Sequence, residues 1–111
     1  MKRLQARLCA VLRAHLSEGK APYIPEAGAI FWKAFAALHG ARQEGPHGPQ
    51  PIALVEIEAW ARLNRLPFRP EHVAVIRALD RVYLDHARAV LSGKSAGPLP
   101  QMTPELFDVM V

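Results

Sequence analysis

Residues 51–84, PIALVEIEAWARLNRLPFRPEHVAVIRALDRVYL, constrain the fold more than any other stretch of the chain. Leu54, Ile57 and Ala61 recur at three- and four-residue spacing, and Trp60 and Leu63 widen their row. Val73, Ile76, Leu79, Tyr83 and Ala87 repeat the pattern further on and extend it to Val90 or Leu91. This is the periodicity of helices with one apolar face, and it predicts helices over residues 53–65 and 70–91. Between them Pro67 and Pro70 bracket Phe68. A residue that precedes proline is held extended, so Phe68 is placed to plug between helices. Pro70 and Glu71 suit the first turn of the longer helix, the first by its fixed φ and the second by its charge at the positive end of the dipole. Neither helix has a capping hydroxyl: Ala53 and Arg69 stand where Ser or Thr would serve, at a cost of roughly 1 kcal/mol each. Glu58–Arg62, Arg77–Asp80 and Arg81–Asp85 read as ion pairs on the helix surface.

Upstream segments look built to pack against this pair. Residues 2–18 carry Leu4, Leu8, Val11, Leu12 and His15 or Leu16 on one stripe, with Arg3, Arg7 and Arg13 off it and Gly19 as a stop. Residues 20–26, KAPYIPE, form a connector whose Tyr23 and Ile24 are expected to pack. A second helix is predicted over 26–42. Ala27, Ile30, Phe31, Ala34, Leu38 and Ala41 share a face, and Trp32 and Phe35 lie on its flank. Residues 43–51, QEGPHGPQP, cannot continue a helix and read as a compact inter-helix loop. Beyond residue 92, SGKSAGPLPQM reads as flexible. Thr103, Pro104 and Glu105 then open a short turn before Leu106, Phe107, Val109, Met110 and Val111, which are too apolar for an idle tail.

The expected fold is therefore all-α: a compact bundle of about four helices with a flexible C-terminal tail. Three parts are expected: a basic amphipathic helix over 1–20, a helical core over 21–92, and a tail over 93–111. A chain of 111 residues is one domain with an extension. No apolar run approaches the ~20 residues of a membrane span, so no membrane is expected as a partner. Cys9 is the only cysteine, which fits a reducing, cytoplasmic setting and reads as a small hydrophobe on its helix.

Composition and spacing speak against catalysis. Ser17, Ser92 and Ser95 lie in no nucleophile elbow, and GPHGP lacks the lysine of a phosphate loop. Glu56 and Glu58 point to different helix faces. Of His15, His39, His47, His72 and His86, no two have the spacing of a helical zinc site. No catalytic, metal-binding or cofactor-binding residue is expected, and no cofactor. The whole formal excess of +4 sits in the first twenty residues, so the body has no net field to draw nucleic acid. The helices at 53–65 and 70–91 have the outline of a DNA-binding helix-turn-helix, with Arg62, Arg65 and Arg69 clustered. The proline-bounded turn and the acid at Glu71 oppose that alternative.

Several short blocks, in order, carry a resemblance. Trp32, Phe35, Leu38 and Arg42 precede a Gly/Pro loop. Pro51-Ile52, Glu56-Ile57, Ala59-Trp60-Ala61-Arg62-Leu63, Pro70-Glu71-His72-Val73, Ile76, Ala78-Leu79-Asp80 and Tyr83-Leu84 follow it. Over about residues 22–90 this pattern resembles the small tail assembly chaperones of long-tailed bacteriophages and prophages. The resemblance implies a non-enzymatic protein of the host bacterial cytoplasm. It would coat the aggregation-prone tape measure protein, help recruit tail-tube protein subunits, and be absent from the finished virion. A structural head–tail or tail component of the virion is the other alternative. A homo-oligomer is compatible with either. The expected protein-binding residues are Trp32, Phe35 and Trp60 on the second and third helices, with Leu106 and Phe107 in the tail. The binding surface is thus expected beside residues 51–84, on the Trp32–Phe35 flank and the basic first helix.

Overall fold

The computed structural model describes residues 1–93. Four helices carry the chain: α1 (Lys2–Glu18), α2 (Ala29–Gly40), α3 (Leu54–Leu63) and α4 (Pro70–Leu91), all-α as the sequence predicts. The apolar stripe of α1 buries Leu8, Cys9, Leu12, His15 and Leu16, and its main neighbour is α4. Gly19 ends α1 with φ of +69°, a conformation that costs glycine nothing, and its amide donates to the His15 carbonyl at 3.1 Å. His15 is buried and its Nδ1 lies 3.0 Å from the Lys20 carbonyl oxygen. The first helix thus shares one core with the other three.

The connector behaves differently at its two apolar residues. Ile24 is buried, whereas Tyr23 is 74% exposed. Prolines 22 and 25 keep this segment out of helix, and successive side chains of an extended segment point to opposite sides. The expected packing therefore holds for Ile24 and fails for Tyr23.

The second helix starts later than its periodicity suggests. A single 3₁₀ turn, Glu26–Gly28, precedes α2. Gly28 is buried against α1: a Cβ there would come within 2.7 Å of Leu8 Cδ2. The helix that follows, α2, lies almost wholly inside the core. It packs on α3 and α4 and buries Phe31, Trp32, Ala34, Phe35 and Leu38.

The loop after α2 contains a minimal hairpin that the Gly/Pro composition conceals. Two-residue strands, β1 (Glu44–Gly45) and β2 (Gly48–Pro49), pair antiparallel, with Glu44 opposite Pro49 and Gly45 opposite Gly48. Pro46 and His47 make the turn, and Gly48 supplies φ of +113°.

The helix ends around the turn at 64–69 are well defined. Arg65 stands at φ +55°, the one non-glycine residue with positive φ among the described residues. The Leu66 amide donates to the Ala61 carbonyl at 2.8 Å and the Arg65 amide to that of Arg62 at 3.1 Å. This is the Schellman closure, with arginine in the place that glycine usually takes. The two missing hydroxyl caps are half replaced. The Glu56 carboxylate accepts the Ala53 amide at 3.0 Å, and the His72 Nδ1 accepts the Arg69 amide at 2.9 Å. Phe68 sits among Phe31, Trp60 and His72 with centroids 5.8, 6.4 and 5.8 Å away, so it fills the junction of α2, α3 and α4.

Candidate functional site

The position of α3 is set by a polar latch that begins at Asp80. Its side chain lies on the buried side of α4, 8% exposed, against the 3% exposed side chain of Arg42. Arg42 Nη2 donates to Asp80 Oδ1 at 2.5 Å, and Asp80 Oδ2 accepts the Ile52 amide at 2.9 Å. Arg42 Nη1 donates to the Gln50 carbonyl at 2.7 Å, and its Nε to His39 Nδ1 at 3.0 Å. The guanidinium lies 4.6 Å from the centre of the Tyr83 ring, which His39 meets edge-on at 4.4 Å. A charge taken out of water is tolerated only when paired and hydrogen-bonded, and both charges here are. The pairing of Asp80 with Arg77 that the helix pattern suggests does not occur; Asp80 reaches across the fold instead. Likewise Asp85 pairs with Arg88, at 3.7 Å, and not with Arg81. Glu58–Arg62 is an exposed ion pair as expected, at 2.6 Å.

Burial beside the latch makes His39 a neutral residue. Burial lowers its pKa from 6.5 to about 4; the Arg42 charge adds to this and the Asp80 charge opposes it. Burial likewise raises the Tyr83 hydroxyl, with Arg42 working against it. Arg42 and Asp80 fix the loop to α4, and the Ile52 amide bond fixes where α3 begins.

The ten residues of α3 are thereby held beside the start of α4, and an apolar groove of about 660 Å³ runs between them. Leu54, Ile57 and Ala61 form one wall, Val73 and Ala74 the other, and Pro67 and Phe68 the end. Three arginines, Arg62, Arg69 and Arg77, and one acid, Glu58, stand at its rim. At 100° per residue Val55, Ala59 and Leu63 stand on the opposite side of α3 from the Leu54–Ile57–Ala61 wall, with Glu58 and Arg62 between the two. All three face water, Val55 at 71% and Leu63 at 84% exposure, and Leu54 is itself 53% exposed. One side of α3 therefore builds the core through Ile57 and Ala61, while the other offers an unbroken aliphatic row to solvent.

The sequence-predicted binding residues fall elsewhere. Trp32 and Phe35 are 1% and 0% exposed, so the expected surface on their flank is corrected: α2 is enclosed around most of its circumference, and both rings are core. Trp60 is half-buried, one turn from Ile57, with its ring centroid 6.4 Å from that of Phe68. Leu106 and Phe107, with the Thr103–Glu105 turn, lie outside the described residues. Leu63, expected to widen the buried row, is nearly free of it. The groove and the exposed aliphatic row both lie within residues 51–84. The groove could have been sought from the excess of aliphatic residues on α3, which has more than one buried face can take.

Other chemistry finds little here. Among the described residues no three His, Cys, Asp or Glu side chains come together, and no helix is long and apolar enough to cross a membrane. Cys9 is buried and its thiol pKa is raised by burial, partly offset by Arg13. Against the helix-turn-helix alternative, the start of α4 buries Val75 and Ile76 and presents Glu71 to solvent.

A model of the phage tail assembly chaperone family matches residues 12–85. The match reaches from the middle of α1 through most of α4, and so includes the latch and the groove. Comparison with curated proteins returns no match. Comparison with solved structures returns none either.

Proposed function

We propose, for a chain that belongs to the phage tail assembly chaperone family, that it binds the tape measure protein and assists assembly of the tail tube around it. Its working surface is the groove between α3 and α4 together with the aliphatic row Val55–Ala59–Leu63. The observation that supports this reading most is the exposure of that row: three aliphatic residues at four-residue spacing face water on the side of α3 opposite the groove. The groove fits an amphipathic helix laid into it, which is how one chain shields the apolar face of another, and the row across α3 adds a second apolar contact. The arginines at the rim favour a partner helix with acidic flanks. Tail-tube subunits are the second partner. The work is done by binding in the host cytoplasm, without catalysis.

Co-expression with the tape measure protein of the same phage tests it. The wild-type chain is expected to keep that protein soluble and to co-purify with it. Val55→Asp/Leu63→Asp, at positions already exposed, is expected to fold normally and to lose both effects. Retained co-purification by this variant would overturn the assignment of the surface, and no co-purification by the wild type would overturn the function.

A further inference from the structure

We propose that the cleft between α1 and α4 is a second protein-binding site, which takes an acidic amphipathic helix of a partner chain. It shares no lining residue with the α3–α4 groove, so it stands apart from the surface assigned above. Three observations carry it.

The first is charge left without a counter-charge. The cleft, of about 690 Å³, is lined by Lys2 and Arg13 of α1 and by Arg81 of α4, with Asp85 as its one acid. Asp85 is paired with Arg88, at 3.7 Å. The first acid of α1 is Glu18, and Lys20 holds it at 3.1 Å. Among the described residues Lys2, Arg13 and Arg81 therefore have no ion-pair partner. Cations gathered on one cleft repel one another, and carboxylates of a partner relieve that repulsion.

The second is spacing. Lys2, Ala6, Cys9 and Arg13 follow one another at four, three and four residues, so they form one strip of α1. Lys2 and Arg13 are three turns apart, about 16–17 Å along the axis. One small anion cannot meet both. A partner helix with acids eleven residues apart has the same three-turn interval and carries both acids on one face.

The third is the apolar part of the lining. Cys9, Leu16 and Val82 line the same cleft and are buried. The Arg13 charge acts on the Cys9 thiol, lowering its pKa against the rise that burial causes, so the cationic and apolar parts adjoin. An amphipathic helix with apolar residues between its acids answers both parts. A nucleic-acid backbone offers phosphates alone, and would leave the apolar part uncovered and meet Asp85.

A capped synthetic peptide tests the site. It is helical, with two glutamates eleven residues apart and leucines on the same face between them, and it is titrated into the full chain under amide NMR. Saturable shifts are expected at Ala6, Cys9 and Val82. Shifts confined to Ala61 and Val73 would place the peptide in the α3–α4 groove alone and overturn the proposal, as would no shift at all. Arg13→Gln/Arg81→Gln, on exposed side chains, is expected to weaken the binding read at the cleft amides by about threefold to tenfold, at an unchanged unfolding temperature. Equal affinity in wild type and variant would overturn the role of the cations. A peptide with its glutamates four residues apart is expected to bind about threefold more weakly, since it reaches only one end of the strip. Equal binding of the two peptides would overturn the helix spacing. Single-stranded DNA of about twelve nucleotides is expected to leave the cleft amides unmoved, and tighter binding of DNA than of peptide would make this a nucleic-acid site instead. Val55→Asp/Leu63→Asp is expected to bind the peptide at the cleft as the wild type does, so failure of the α3 surface leaves this site standing and failure of this site leaves that surface standing.

Discussion

Asp80 shows how one residue can organise a small fold. One carboxylate oxygen takes the Arg42 guanidinium and the other the Ile52 amide, so a single side chain joins α2, the hairpin loop and the start of α3 to α4. Removing one member leaves the other charge buried and unpaired, so Arg42→Ala or Asp80→Ala is expected to cost about 3–5 kcal/mol in urea unfolding. His39 adds a pH dependence whose sign is fixed. The ring takes its proton near 6.5 when unfolded and near about 4 when folded. Between those values the unfolded chain holds more protons, so stability is complete above about pH 6.5, falls through the window and is lost to protonation below about 4. The expected fall is about 2 kcal/mol, less than the full shift would give because the ring is only partly buried. Urea midpoints measured across that window in wild type and His39→Gln read it directly; an equal slope in both would contradict it. Arg65 works in the opposite direction. Its left-handed backbone is unfavourable for any residue with a Cβ, so Arg65→Gly is expected to raise stability by about 1 kcal/mol, read as a higher urea midpoint at an unchanged m-value.

Among the elements, α4 was fully legible and α2 only in part. The bounds of α4 follow from Pro70 and from an apolar period that runs to Leu91. The late start of α2 depends on Gly28 meeting Leu8 of another helix, a long-range contact that no local pattern carries. Gly28→Ala is accordingly expected to cost about 1–2 kcal/mol, because the methyl group must displace the fully buried Leu8 side chain and crowd Leu4. Burial of Trp32 and Phe35 has the same character. Periodicity shows which side of a helix is apolar, but not how many neighbours enclose it, and α2 is enclosed on most sides. In α3 the reverse holds: Leu54 and Leu63 look like core residues by spacing, and a short helix with one buried face leaves them in water. Nor could spacing reveal the latch, whose ion pair joins residues 38 apart in the chain.

At the scale of the whole molecule, the core and the proposed working surface divide the chain between them. Centred on α4, the core receives α1 and α2, and this division into apolar stripes was readable from the sequence together with the all-α class. The surface depends on α3 being held at a set distance from α4, which the latch, Phe68 and the Schellman closure accomplish jointly. The family match spans all three devices. It follows that a change in the latch, though far from any partner, should also weaken partner binding, while changes on the aliphatic row should weaken binding alone. Titration of the tape measure protein against the wild-type chain and against Val55→Asp/Leu63→Asp, with thermal unfolding of both, measures this most directly. The expected result is an affinity at least about a hundredfold weaker for the variant, from the loss of roughly 1.5–3 kcal/mol for each of two buried aliphatic groups, at an unchanged unfolding temperature. Equal affinity in the two proteins would contradict the placement of the chaperone surface on α3.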